Sequence, residues 1–474
     1  MPFFLCEGEG RLGPHFYLDR PIMSAEIKKT HIEEFKDLLG ARESESIKKL
    51  VKDLHASDVG RIFKGLDEKE AMEFFKLLTN VVASEVLLEV DDHQRQKLLD
   101  TLKPERLIEV VDEMETDDAA DIISELPAED ARQVLDGIDV RDSIDVQRLL
   151  VYPEDTAGGK MQAELISIPG DATAEQGIEA VRKKSADMEN ITNIFVVDAL
   201  GRLIGVLPIA RLIQGSPDTP ISEIMDSEPM HVTTDVDQEE VARLFERYDL
   251  LSLPVVDGKG VLVGRITVDD VVDVIEEEIY EDFYRMAGLN KEERITDTPL
   301  RSIRMRAPWL LVNLGTAFLA ASVVKVFSGT IEKLVILAVL MPVVAGMGGN
   351  AGTQTITVLV RSLALGELEF KDAKRILIKE ITIGFFNGLL IGLGAGIIAY
   401  ILGAGPAVGL LIFLAMIGNL VIAGFSGACI PLLLKRLKVD PAISAGIFVT
   451  TCTDIGGFLS FLGLATIFIK MGFL

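Results

Sequence analysis

Histidine and cysteine are scarce in this chain: five of one and three of the other in 474 residues. Every histidine falls before residue 232, and Cys6, Cys429 and Cys452 are far apart. That distribution gives neither a zinc-ligand spacing nor a disulfide framework, and it fits a reducing compartment. No HExxH, P-loop or nucleophile elbow is present, so an enzymatic reaction has no evident carrier and the chain reads as a non-enzyme. Net positive charge is missing from the first 300 residues, which hold 33 Lys or Arg against 66 Asp or Glu. Such acidity excludes nucleic acid as a partner and argues against docking on anionic lipid; it suits metal cations or basic partners. A secretory signal is also lacking, because "MPFFLCEGEGRLGPHFYLDRPI" has no basic n-region and no long apolar stretch. Amphipathic periodicity starts at "MSAEIKKTHIEEFKDLL". Residues 1–22 are therefore expected to be an extension, disordered or upstream of a natural start at Met23.

What is present divides at about residue 300. Mean hydropathy is +0.32 overall, yet residues 301–474 carry only 14 Lys or Arg and 7 Asp or Glu. An acidic water-soluble half precedes a mildly cationic, apolar half. Residues 23–157 read as an all-α helical repeat. "LHASDVGRIFKGLDEKEAMEFFKLL" and its neighbours place acidic residues after a Leu-Pro or Leu-Asp turn, then an apolar face at helical spacing. Stacked units of that kind form a superhelix. "YPEDTAGGKM" (152–161) interrupts the pattern with Pro153, Gly158 and Gly159, a linker signal.

Two segments then align at a constant offset of 59, "NIFVVDALGRLIGVLPIARLI" (193–213) and "SLPVVDGKGVLVGRITVDDVV" (252–272). Each reads as strand, helix, strand, turn, strand, helix, with Asp-x-x-Gly as the hairpin turn. The pair resembles tandem CBS domains, expected at 158–220 and 221–275. In nucleotide-binding members the Thr and Asp of the motif matched by "GRITVDDV" hold ribose and phosphate, which implies Thr267 and Asp270 here and ATP as the ligand. The first repeat has "GVLPIARL" and lacks both. The second repeat runs on into "TVDDVVDVIEEEIYEDFYRMAGL", where Asp273, Glu277 and Glu281 stand four apart. Like charges at that spacing repel across a helix face, and bound divalent cations turn such repulsion into bridging. A connecting helix is expected over 276–300.

Five apolar stretches are long enough to span a bilayer, at about 307–328, 333–360, 379–402, 407–434 and 441–469. Basic residues cluster before the first, between the second and third, and between the fourth and fifth. That bias puts the acidic half in the cytoplasm and the C-terminus outside. The second span contains "MPVVAGMGGNAGTQ", and the third repeats glycine every four residues from Gly384 to Gly396, a packing stripe. Asp454 is the one acid deep in a span. A charge at the bilayer centre costs several kcal/mol (about 3 by insertion scales), which makes an intramembrane acid a functional candidate. Thr450, Thr451 and Thr453 add hydroxyl oxygens nearby. Asp440, before Pro441, is expected to cap the start of the same helix.

Acidic repeats, "YPEDTAGG", two CBS repeats, an acidic connecting helix, five spans, "GGNAGTQ" and "TDIGGF", in that order, resemble the MgtE magnesium transporter and channel family over residues 23–474. The resemblance implies a homodimer with a pore on the two-fold axis, lined by the second and fifth spans. Asp454 would hold Mg²⁺ from both subunits, with the Thr450 carbonyl and Asn350 beside it. Cytosolic Mg²⁺ would close the pore by bridging the helical domain, the CBS pair and the connecting helix. The matching positions are Asp117, Asp121, Asp237, Glu239, Asp249, Asp270, Asp273, Glu278, Glu281, Asp282 and Asp440. The partners so implied are a second copy of the chain, membrane lipid and Mg²⁺. Competing classes are a proton-coupled divalent cation carrier using Asp454 as its relay and a CBS-regulated anion channel. The latter is opposed by Asp454 and by the absence of a basic residue deep in any span.

Overall fold

The computed structural model describes residues 29–474 except 42, 53, 186, 187, 189, 292, 296, 365–367, 369 and 444. The segment 1–22 lies outside the described residues. Two compact units emerge, residues 1–275 and 276–474, and the boundary falls within one helix.

In the first unit, ten helices run from α1 (Lys29–Gly40) to α10 (Val140–Leu149). Their starts are specified locally. Asp67 caps α4 (Glu68–Phe75) in a reciprocal box with Glu70, and Asp91 caps α6 (Asp92–Thr101) through the Gln94 N–H. Alternate helices stack: α3 (Ala56–Phe63) on α5 (Asn80–Glu89), α5 on α7 (Pro104–Val111), and α7 on α9 (Ala128–Gly137). This is the superhelix that the repeat anticipates. Phe35, Phe63, Phe74 and Phe75 are fully buried and form its aromatic centre.

The two α/β repeats are near copies. The first comprises β1 (Ser167–Pro169), α11 (Ala174–Lys184), β2 (Asn193–Val197), β3 (Leu203–Pro208) and α12 (Ile209–Gln214). After the short α13 (Ile221–Ile224), the second comprises β4 (Val232–Thr233), α14 (Gln238–Tyr248), β5 (Ser252–Val256), β6 (Leu262–Thr267) and α15 (Val268–Met286). Each sheet has three strands, the first pair parallel and the second antiparallel. Asn193 pairs with Pro208 and Ser252 with Thr267, and each hairpin has its irregularity at the same place, Val196/Val197 and Val255/Val256. The turns clasp reciprocally, Leu203 N–H to Gly260 O at 3.1 Å and Leu262 N–H to Gly201 O at 3.0 Å.

Two sequence expectations need correction. Residues 155–162 do not act as a free linker: Ala157 and Gly158 donate to Val236 and Thr234, Gln162 pairs with Arg265, and Met161 is fully buried. Glycine is required at 158 and 159 because a Cβ would run into Tyr152, Thr234 and the backbone of Pro153 and Glu154. The connecting helix does not fill 276–300 either. It is the continuation of α15 and stops at Met286, where Gly288 (φ +71°) and the bond from Leu289 N–H to Tyr284 O (2.9 Å) close a C-terminal cap.

Among the described residues the second unit holds five helices long and apolar enough to cross a membrane: α16 (Pro299–Val326), α18 (Ile336–Ala364), α19 (Ala373–Ala399), α20 (Pro406–Arg436) and α21 (Ala445–Lys470). The short α17 (Ser328–Lys333) joins the first two. Helix α20 is central, with Leu411, Ala415, Met416 and Asn419 buried. The Gly384–Gly396 stripe does pack as expected. Gly388 lies against Ile417, Gly392 against Phe413 and Gly396 against Gly409, where a Cβ would fall 2.7–2.8 Å from the facing backbone. In a bilayer, where tails offer no hydrophobic drive between helices, such close approach is what holds spans together.

Candidate functional site

Helix α21 carries Thr450, Thr453 and Asp454, and α18 carries Asn350. The two helices meet where Gly352 accepts Val449 and Thr453 into the space a side chain would fill. On α18 Asn350 is exposed, as is Thr450 on α21, while Asp454 is half-buried. Thr453 is fully buried and its hydroxyl donates to the Thr450 carbonyl at 2.9 Å, while the Thr450 hydroxyl donates to Gly446 O at 2.8 Å. The Thr450 carbonyl expected to face the ion thus takes a side-chain hydrogen bond on top of its place in the helix ladder. A second acid escaped the sequence reading: Glu380, at the start of the third turn of α19, accepts from the Thr355 hydroxyl of α18 at 3.3 Å.

Asp440 does not cap α21, which starts at Ala445. It caps the preceding turn, taking the Ala442 N–H at 2.7 Å. Its other oxygen pairs with Arg285, and Arg285 also pairs with Glu281. Glu281 is buried and takes Lys291 Nζ at 2.9 Å as well. Two of the residues expected to bind a regulatory cation are therefore joined by a guanidinium.

The remaining candidates lie in the first unit, except Glu278 and Asp282 of the second. Asp117 is buried in the first turn of α8 (Thr116–Ser124), and Asp121 follows one turn on. Around Asp117 gather Glu115, Asp118, Glu164 and Asp270. Glu164 caps α8 from outside, accepting the Thr116 N–H at 3.1 Å and its hydroxyl at 2.7 Å. Arg265, 1% exposed, is the buried cation at this centre among the described residues; it clamps Gln162 Oε1 at 2.6 and 2.9 Å, and Gln162 in turn donates to Glu115 at 3.0 Å. Burial, then neighbouring carboxylates, push Glu115 from its ordinary value up to about 8 and Asp118 to about 7. Asp117 is raised well above the carboxylate range by the same causes. Asp270 rises to about 6, burial outweighing the bonds from the Thr267 hydroxyl (2.6 Å) and N–H (3.3 Å). Sequence reasoning missed Glu115, Asp118, Glu164 and Arg265, which no local motif marks.

Hard oxygen donors whose charges repel suit a divalent cation, although among the described residues no three His, Cys, Asp or Glu side chains converge on one ion. Asp237, Glu239 and Asp249 are not drawn into the cluster's hydrogen bonds. Asp237 caps α14 through the Glu239 N–H (2.9 Å), Glu239 pairs with Arg243, and Asp249 is the exposed left-handed residue that ends α14. Asp273, Glu278 and Asp282 extend along α15, exposed or half-buried.

An acidic half with two α/β repeats is followed by five helices apolar enough to cross a membrane, the last of which carries Asp454. Residues 341–464 match the family described as a divalent cation transporter, 54–155 the MgtE intracellular N domain, and 221–277 the CBS domain. The chain belongs to the MgtE family. It is 37% identical over 343 residues to the magnesium transporter MgtE of Thermus thermophilus, covering 71% of this chain and 75% of that one. It is 32% identical to the Bacillus subtilis MgtE (89% and 93% covered) and 33% identical to that of Enterococcus faecalis (94% and 96%). Each of these relatives is named a magnesium transporter. A solved cytosolic domain of the Mg²⁺ channel MgtE, in complex with ATP, is 36% identical and covers 51% of this chain and 99% of that one, with a TM-score of 0.49.

Proposed function

We propose that this chain forms a gated Mg²⁺ pore for uptake across the cytoplasmic membrane, with Asp454 as its ion-holding carboxylate. The observation that carries the reading is the placement of Asp454 on α21 against the glycine-notched α18, with Thr450 and Asn350 exposed on the same two helices. A protein surface that is open at Asn350 and Thr450 fits a second copy of the chain supplying the other wall. Mg²⁺ sheds water reluctantly, so one or two carboxylates and a few oxygens recognise its hydrated form. The acidic half lies in the cytoplasm and the C-terminus outside.

Closure follows from electrostatics. The carboxylates around Asp117 and Asp270, and those along α15, repel when the cytosol is poor in Mg²⁺ and are drawn together when it is rich. On α15 these are Asp273, Glu278, Glu281 and Asp282; Asp121, Asp237, Glu239, Asp249 and Asp440 take part beside them. ATP at the CBS pair uses Thr267 and Asp270.

The test is Mg²⁺ flux into proteoliposomes bearing the wild-type chain or Asp454→Ala. The variant should lose at least ninety per cent of the flux, about the tenfold that ~1.4 kcal/mol represents; unchanged flux would sink the pore assignment. Flux that requires a pH gradient would instead favour a proton-coupled carrier.

A further inference from the structure

Asn419, in the middle of α20, is fully buried and reaches both helices assigned to the pore. Its Nδ2 donates to the Val344 carbonyl of α18 at 2.6 Å. Its Oδ1 is buried and, among the described residues, has no hydrogen-bond donor. The Nδ2 bond fixes the amide's rotation, so that oxygen has one direction available. Two glycines make room for the amide, Gly348 lying nearest its Nδ2 and Gly457 nearest its Oδ1. A Cβ on Gly348 of α18 would fall 2.8 Å from Oδ1 and 2.9 Å from Cγ, and a Cβ on Gly457 of α21 would fall 2.8 Å and 3.1 Å from the same atoms. Gly348 stands two residues before Asn350, and Gly457 three after Asp454.

A buried amide oxygen without a donor is costly, and an alkyl side chain of similar volume would avoid that cost. What the amide supplies instead is a flat, oriented spacer between two helices. We propose that Asn419 is a positioning residue: its amide, tied to Val344 and seated between Gly348 and Gly457, sets the separation of Asn350 from Asp454 and with it the choice among divalent cations. The inference rests on the pore reading of Asp454. Its logic is metric. Mg²⁺ demands near-ideal octahedral geometry in its oxygen shell, whereas Ca²⁺ accepts six to eight ligands in looser arrangements. A small change in the gap therefore alters the Mg²⁺ to Ca²⁺ ratio more than it alters total conductance.

The experiment measures Mg²⁺ and Ca²⁺ flux in proteoliposomes for the full-length wild type, Asn419→Leu, Gly457→Ala and Asp454→Ala, each checked for monodisperse elution. Asn419→Leu should shift the Mg²⁺:Ca²⁺ flux ratio about tenfold toward Ca²⁺. Gly457→Ala, which crowds the same amide and leaves Asn419 in place, should shift it in the same direction and carries the test where the leucine variant does not fold. A wild-type ratio in the folded variants, or an equal loss of both fluxes, overturns the proposal. Loss of flux in Asp454→Ala together with an unchanged ratio in the other two removes this inference alone; retained flux in Asp454→Ala removes the pore reading beneath it.

Discussion

Replacing Glu115 by glutamine should flatten a pH dependence that the native chain displays without divalent cations. Glu115 is largely buried, faces Glu164, Asp118 and Asp270, and has its pKa raised to about 8 from 4.5. A carboxyl raised in the packed state favours that state while it is protonated. The advantage is complete below the unpacked value and is lost as pH rises through the packed one, so the window is about pH 4.5 to 8. From pH 6 to pH 8 the packed-state carboxyl goes from almost fully to about half protonated while the unpacked one stays ionised, which corresponds to about 2 kcal/mol, or roughly fifty-fold in the opening equilibrium. Hydrogen exchange of the α8 amides in the full chain is the assay, corrected for the intrinsic pH effect. Protection should fall roughly fifty-fold between pH 6 and 8 in chelator, and millimolar Mg²⁺ should restore it by supplying the missing positive charge. Glu115→Gln keeps an acceptor for Gln162 and loses the titration, so its protection should change several-fold less. Equal slopes in the variant and the native chain would refute the reasoning, as would flat protection in the native chain.

Arg285→Ala should leave Glu281 and Asp440 facing each other without their shared guanidinium. A cost of about 2 kcal/mol, typical of hydrogen bonds to charged groups, should speed proteolysis around residues 287–298 in chelator, and Mg²⁺ should slow it again. Gly384→Leu places a side chain against the Leu420 carbonyl, and overpacking of about 1–3 kcal/mol or more should lower the detergent Tm or prevent folding. Thr267→Val removes the hydroxyl that Asp270 accepts at 2.6 Å, costing about 1 kcal/mol. It should also abolish any rise in Tm on adding ATP, and a native chain whose Tm ignores ATP would remove the nucleotide proposal.

The elements that sequence made legible are those with a period or an offset. Five apolar runs became five spans, and the offset of 59 became two sheets of one register. Their ends were less legible. Hydropathy reports where lipid-compatible residues start, yet α16 begins at Pro299 and carries Arg301, Arg304 and Arg306 in its first turns. Asp440 and Pro441 looked like a helix start, but the chain makes one more turn before α21. At the site, Asp454 stood out because it is improbable in lipid, and Asp117 and Asp270 came through the family's pattern. Glu115, Glu164 and Arg265 could not be found that way. They are assembled by pairing between residues 47 to 103 positions apart, such as Gln162 with Glu115 and with Arg265, and no window of sequence contains them. Asn419 was equally silent, since a single amide in an apolar run gains meaning only from the glycines opposite it.

The shared register of the two hairpins has a consequence for stoichiometry. At the position where Thr267 faces Ser252 in one repeat, Pro208 faces Asn193 in the other, and the offset sets Arg211 where the second repeat has Asp270. The scaffold is duplicated, but hydroxyl and carboxylate occur in one copy, and the counterpart offers a ring without a donor and a cation. A ligand that needs both groups finds one seat per chain, so a titration should reach its end point at a molar ratio of one although the architecture has two halves.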